Sequence, residues 1–148
     1  MSKYLVIDAS FAVRLIMPGP HQKRCQTLVA QWYRDGYVLC APMLWLYEIT
    51  SALCKAVHFG QITRDEGQQA LTLAQKLGVQ LFPPDDAQTR LAFDWTRRLR
   101  RAAAYDSFYL ALAKALRGEM WTADKRLVNA AGVSWIHLTN VPPIKTDL

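Results

Sequence analysis

Apolar positions fall into two kinds of run along the chain. Short, nearly unbroken apolar segments stand at Tyr4-Leu5-Val6-Ile7, Tyr37-Val38-Leu39-Cys40, Val79-Gln80-Leu81-Phe82, Met120-Trp121-Thr122 and Val133-Ser134-Trp135-Ile136. They lack clean apolar–polar alternation, as strands covered on both faces do. Between them lie longer stretches with helical apolar spacing. Gly36, Gly60, Gly78, Gly118 and Gly132 each follow such a stretch, where glycine closes a helix in the left-handed conformation. Thr63-Arg64-Asp65-Glu66 has the form of a capping box, Asp85 with Gln88 resembles one, and Pro83-Pro84 closes the third strand. The resulting order is strand, helices, strand, two helices, strand, helices, strand, helix, strand. It predicts an α/β fold of three layers (α/β/α), with a five-stranded, mainly parallel central sheet and right-handed crossovers. No linker or repeat divides the chain, so residues 1–140 read as a single domain and residues 141–148 as a loose tail.

Composition narrows the class. With 148 residues, 51% hydrophobic and 20% charged, the chain can bury a real core and is not a disordered polymer. No apolar run approaches the roughly 18 residues of a spanning helix, and the apolar start meets Asp8 too soon for a signal peptide. Three cysteines, 25, 40 and 54, with no CxxC and no clustered histidines, argue against a disulfide scaffold or a zinc site. A reducing, cytoplasmic setting is the expectation, with the cysteines as small buried hydrophobes. The net charge of +6 favours anionic partners, nucleic acid first among them.

Ligands of open α/β sheets bind at the carboxyl ends of the strands. Asp8 ends the first strand in Val6-Ile7-Asp8-Ala9-Ser10, and Asp124 follows the fourth in Trp121-Thr122-Ala123-Asp124. Both belong at the same edge, although either also suits a helix N-cap. Glu48 is the only charge between Asp35 and Lys55, in a helix apolar nearly all round. Such a helix is expected to be buried, and a buried carboxylate needs a partner, either a basic side chain or a metal. Asp106 opens a second strongly apolar helix, as a cap or as an anion on the helix dipole. Four carboxylates brought together need a compensating cation, and an oxygen-only donor set selects Mg2+ or Mn2+. The hydroxyls of Ser10, Ser107 and Thr122 lie beside these acids and are placed to orient them.

Taken in order, Asp8-Ala9-Ser10, the Trp-Leu-Tyr-Glu-Ile-Thr-Ser-Ala-Leu helix around Glu48, Ala104-Tyr105-Asp106-Ser107-Phe108-Tyr109 and Thr122-Ala123-Asp124-Lys125-Arg126 resemble the PIN-domain family. The resemblance spans essentially the whole chain and is closest to VapC-type toxin ribonucleases of toxin–antitoxin systems. It implies a Mg2+- or Mn2+-dependent endoribonuclease acting on transfer or ribosomal RNA, leaving 5′-phosphate and 3′-hydroxyl ends. The family's acidic quartet falls on Asp8, Glu48, Asp106 and Asp124, as catalytic residues and metal ligands, with Ser10 and Thr122 in support. A homodimer and a cognate VapB-type antitoxin are implied as well. Some relatives carry a further acid after the fourth motif, where this chain has Lys125-Arg126. The chemistry would be phosphodiester hydrolysis, with a divalent ion acidifying water at neutral pH.

A non-catalytic PIN-like module that binds RNA or protein is the alternative, disfavoured because all four acids are present. A dehalogenase-like phosphatase wants Asp-x-Asp where this chain has Asp8-Ala9-Ser10, and the absence of GxxxxGK[ST] excludes a P-loop enzyme. Trp32, Tyr33, Trp45, Phe93 and Trp95 read as core or dimer packing, with Tyr105 or Tyr109 open to stacking on RNA bases. With the quartet neutralised by metal, 18 basic side chains face 8 acids, a balance of +10. Arg97, Arg98, Arg100 and Arg101, with Lys125 and Arg126 and with Lys114 and Arg117 nearby in sequence, then form a phosphate-gripping rim. Neutralising Arg100 and Arg101 is expected to weaken RNA binding and to flatten its dependence on salt. An unchanged salt slope would return them to an ordinary solvated helix end.

Overall fold

A computed structural model describes residues 2–139, so the expected tail at 141–148 lies outside the described residues. Five strands, β1 (Lys3–Ile7), β2 (Tyr37–Pro42), β3 (Gln80–Phe82), β4 (Glu119–Thr122) and β5 (Ile136–Leu138), form one sheet in the order β3-β2-β1-β4-β5. Every pairing is parallel. The helices are α1 (Ala9–Ile16), α2 (Gln22–Arg34), α3 (Leu44–His58), α4 (Arg64–Lys76), α5 (Asp86–Arg98), α6 (Tyr105–Ala115) and α7 (Lys125–Ala131). This is the predicted element order. Helices α1 to α4 pack among themselves, while α5 packs on α6, which lies along β1, β2 and β4. The middle strands carry continuous buried runs, Leu5-Val6-Ile7 and Leu39-Cys40-Ala41, as strands covered on both faces require.

The sequence signals act where they were read. Thr63 and Glu66 close a complete capping box on α4, and the Asp85 carboxylate accepts from the Gln88 amide at the start of α5. The fifth strand differs: it starts at Ile136, and residues 133–135 only lead into it. Its register is set where the Met120 amide donates to the Trp135 carbonyl, so pairing with β4 begins one residue later.

The aromatics divide between core and surface. Trp32, Trp45 and Trp95 are buried, but Tyr33 and Phe93 are exposed. The inward face of α5 is Ala92, Trp95 and Leu99, and Phe93 points off it. Cys25 and Cys40 are buried, and burial pushes the Cys40 thiol up to about 12. Cys54 is exposed, being one step off the Trp45-Ile49-Leu53-Ala56 stripe of α3. Nor is α3 buried all round: Met43, beside it, and its own Leu46 and Tyr47 lie exposed.

Gly118 serves a purpose other than the one expected. The left-handed residue after α6 is Arg117, with φ of 52°. Its amide bonds the Lys114 carbonyl and the Gly118 amide bonds the Ala113 carbonyl, a two-bond helix stop normally built on glycine. Gly118 is needed for close approach instead, because a Cβ there would stand 2.5 Å from the Tyr4 carbonyl oxygen at the start of β1. Gly118→Ala is therefore expected to cost about 1–3 kcal/mol in denaturant unfolding, the usual range for overpacking. Gly19→Ala, which meets nothing within 4 Å, is the matched control; equal stability of the two variants would contradict the close approach.

Candidate active site

The strand order places the site. Chain connections run outward from β1 in both directions, first to β2 and β3, then to β4 and β5. The carboxyl ends of β1 and β4 lie side by side at this reversal, with Ile7 paired to Trp121. A crevice at such a switch point is where open α/β sheets bind ligands. Asp8 and Thr122 are the residues delivered there, one directly after β1 and the other ending β4.

Thr122 and Asp8 are joined across the seam. The Thr122 hydroxyl donates to Asp8 Oδ2 at 2.5 Å, while Ser10 Oγ donates to Asp8 Oδ1 at 2.7 Å. The Phe11 amide donates to the same Oδ1 at 2.9 Å, so Asp8 is also the N-cap of α1. Ser10 Oγ accepts from the Ala123 amide, and Thr122 Oγ1 accepts from the Asp124 amide. Both sequence-predicted supporting hydroxyls thus contact the site. Ser107 does not: it is buried, and Thr96 donates to its hydroxyl at 2.8 Å, tying α5 to α6.

The other three acids come from three different elements. Asp124 caps α7 through the Leu127 amide. Asp106 sits in the first turn of α6, where Ala104 is the capping residue, so it is not a cap itself. Its Oδ2 accepts from Arg101 Nη1 at 2.7 Å, and the same nitrogen stands 4.0 Å from Asp124 Oδ2. Glu48, on α3, accepts a hydrogen bond from the Tyr109 hydroxyl at 2.6 Å. Its protein partner is thus a phenol, where a basic side chain was one expectation. The structure links all four sequence-predicted acids through Asp106, which shares Arg101 with Asp124 and whose charge reaches Asp8 and Glu48.

Their electrostatics are those of neighbouring, partly buried carboxyls. Burial raises the Asp8 carboxyl to about 6, against the hydrogen bonds from Thr122, Phe11 and Ser10, and the charge of Asp106 adds to the rise. Glu48 is raised by burial, partly offset by Tyr109 and reinforced by Asp106. Asp106 is raised by burial, lowered by Arg101 and raised by Asp124. Tyr109 is pushed up by burial and by Glu48, so it stays a phenol and a donor. Asp8, Glu48 and Asp106 therefore sit in a setting that disfavours their charge, and Asp106 acts on both of the others.

The donor atoms are all carboxylate and hydroxyl oxygens, which suits a hard divalent cation. Among the described residues, no three His, Cys, Asp or Glu side chains already surround one point closely enough to hold an ion. Arg101 lies against two of the acids in the place where positive charge is wanted. The basic residues divide accordingly. Arg97, Arg98, Arg100, Lys125 and Arg126 are exposed, with Arg98 stacked 4.1 Å over the Trp95 ring. Arg101 turns inward instead of joining them. Lys114 and Arg117 lie beside Gly118, at the amino end of β1 and thus the far end of the sheet from the acids. Tyr109 is buried on Glu48 and offers no ring to RNA, whereas Tyr105 is exposed. Sequence reasoning missed Arg101 and Tyr109 as carboxylate partners; their spacing to Asp106, five before and three after, was the only signal.

A PIN-domain family model matches residues 5–133. A VapC ribonuclease of Mycobacterium bovis and Ribonuclease VapC9 of Mycobacterium tuberculosis are each 30% identical over 138 residues, covering 93% of this chain and 98% of theirs. Among solved structures, VapBC2 from Rickettsia felis, bound to a DNA fragment from its promoter, superposes with a TM-score of 0.68 at 11% identity. It covers 90% of this chain and 96% of that one. VapC20 from M. tuberculosis, titled a sarcin-ricin loop cleaving toxin, has a TM-score of 0.65 at 17% identity and covers 88% and 96%. These structures share the fold.

Asp8 gives the site a pH signature. Below about pH 4 the carboxyl is protonated in both the folded and the unfolded chain, so stability is greatest there as far as this group is concerned. As pH rises from 3.8 towards about 6, the unfolded chain ionises first and stability is lost. Asp8→Asn keeps an acceptor for the Phe11 amide and has no charge to bury. With a chelator present, its melting temperature relative to wild type is expected to rise between about pH 5 and pH 7.5. A difference that stays constant across that range would show that Asp8 ionises as it does in the unfolded chain.

Proposed function

The chain belongs to the PIN-domain family, in its VapC-type branch, and from that premise we propose that it is a divalent-metal-dependent endoribonuclease, the toxin of a toxin–antitoxin pair. One observation carries the reading: Asp8, Glu48 and Asp106, from the end of β1, α3 and α6, are all raised mainly by burial, Asp106 adds to the rise of the other two, and Arg101 lies between Asp106 and Asp124. Such a constellation is unfavourable without positive charge, and it is the donor set that Mg2+ or Mn2+ prefers.

Asp8, Asp106 and Asp124 would hold the ion, with Glu48 completing the set directly or through water. A bound divalent cation supplies Lewis acidity to a phosphate and lowers the pKa of water at neutral pH. The chain's own residues do the rest. Thr122 and Ser10 fix both oxygens of Asp8, leaving it little freedom to rotate away. Tyr109 fixes Glu48. The exposed arginines and lysines around the crevice grip backbone phosphates without reading sequence. Attack by water on phosphorus, with the P–O3′ bond breaking and the 3′ oxygen leaving as a hydroxyl, gives 5′-phosphate and 3′-hydroxyl ends, and structured cellular RNA, transfer or ribosomal, is the substrate class. A solved structure of the same fold, titled a toxin–antitoxin complex from Klebsiella pneumoniae, supports a protein antitoxin as partner. The exposed Met43, Leu46 and Tyr47 beside Glu48 support a second copy of the chain there. The free cysteines suit a cytoplasmic protein, and no helix among the described residues is long and apolar enough to cross a membrane.

The test is cleavage of total RNA by purified protein with Mg2+ or Mn2+, with EDTA, and with Asp106→Asn. Cleavage that needs the metal and falls by at least about a hundredfold in the variant is expected, in line with loss of charge stabilisation at a reacting phosphate. Equal cleavage by variant and wild type would place the activity elsewhere. Products ending in 2′,3′-cyclic phosphate would overturn hydrolysis by water, since they need the RNA 2′-hydroxyl as nucleophile.

A further inference from the structure

Arg101 belongs to two environments at once. On one side its Nη1 lies 2.7 Å from Asp106 and 4.0 Å from Asp124. On the other it walls a polar cavity of about 430 Å3, together with Arg100, Arg126 and Asp124. That cavity has three guanidinium groups and one carboxylate around it. Among the described residues, neither Arg100 nor Arg126 has an ion pair of its own. The backbone fixes this placement. Arg100 takes the left-handed conformation, with φ of 55°, while its amide bonds the Arg97 carbonyl and the Arg101 amide bonds that of Thr96. This helix stop ends α5 at the cost of a non-glycine residue at positive φ, and it turns Arg101 back towards the acids.

We propose that the cavity is an anion subsite for an RNA backbone phosphate next to the one that is cut, and that Arg101 is shared between this subsite and the carboxylates. Without a divalent cation, Arg101 neutralises Asp106 and Asp124. When a cation takes those carboxylates over, the guanidinium is released to the cavity, where its planar fork suits phosphate oxygens. Cation and phosphate therefore bind with positive coupling, and coupling of this kind is reciprocal. The proposal rests on the nuclease reading above, but it makes its own prediction about binding in the absence of catalysis.

The experiment measures Mn2+ affinity by titration calorimetry, in chloride and in sulfate at matched ionic strength, with sulfate as the phosphate probe. In chloride, Arg101→Gln is expected to bind Mn2+ at least about fivefold more tightly than wild type, the lower end of ordinary coupling between sites. Arg90→Gln, which removes the same charge from an exposed pair on α5, is expected to match wild type. Sulfate is expected to tighten Mn2+ binding to wild type, to leave Arg101→Gln unaffected, and to act weakly on Arg100→Gln with Arg126→Gln. Should Arg101→Gln not fold, Arg101→Lys keeps the charge without the fork, and its sulfate response is expected to shrink. Mn2+ affinity equal to or below wild type in Arg101→Gln would overturn the shared arginine, as would a sulfate response undiminished in the folded Arg101 variant. Either result leaves the nuclease reading standing. Failure of wild type to bind Mn2+ in either salt, or RNA cleavage that survives Asp106→Asn, would strike the nuclease reading itself.

Discussion

The seam between β1 and β4 is the constraint on which the site depends. Asp8 receives three hydrogen bonds there, from Thr122, Ser10 and the Phe11 amide, and each partner has a second structural duty. Thr122 also accepts from the Asp124 amide, Ser10 from the Ala123 amide, and Phe11 begins the buried face of α1. The carboxylate is thus a helix cap, a strand clamp and a candidate ligand together. A buried anion is costly, and its three donors keep it in place despite a raised pKa. Sequence reasoning set the capping and chemical roles against each other for Asp8 and Asp124, yet both residues cap a helix from within the cluster.

From this seam the other acids are placed by helix geometry. Asp106 enters in the first turn of α6, whose lower turns run buried beside β1 and β4. One turn on, Tyr109 lies on the same face and reaches Glu48 on α3. The spacing of three residues puts both side chains on one side of the helix. Asp106 and Tyr109 therefore bind α3 and α6 to a common centre, and Thr96 to Ser107 fixes α5 behind them. Among the described residues, the arrangement leaves four carboxylates short of positive charge, with a single guanidinium reaching two of them.

Most of the architecture was legible because its signals are local. Strand positions, the capping box at Thr63 and Glu66 and the alternation of elements each need only a few neighbouring residues. The four acids were legible by the same means, since they sit at strand ends or in helices otherwise apolar. What escaped depends on contacts far apart in the chain. Nothing near Glu48 names Tyr109 as its partner, and nothing near Ser107 names Thr96. The reach of Arg101 is set by a left-handed residue at 100, a backbone conformation that an arginine does not advertise. Gly118 misled because a glycine after a helix is read as a cap, whereas here the carbonyl of Tyr4, 114 residues earlier, forbids a side chain.

The same distances order events during synthesis. Asp8 leaves the ribosome early and Thr122 late, and the pair closes a loop of more than a hundred residues, among the slowest contacts to form in a domain of this size. Until β4 docks on β1, Asp8 has only its cap and Ser10, Asp124 is unplaced, and α6 lacks one of its strands. A partly made chain therefore holds isolated carboxylates and no assembled centre. On the proposed reading, a growing chain cannot attack RNA until β4 has been made and has docked on β1, and the delay is written into strand order alone.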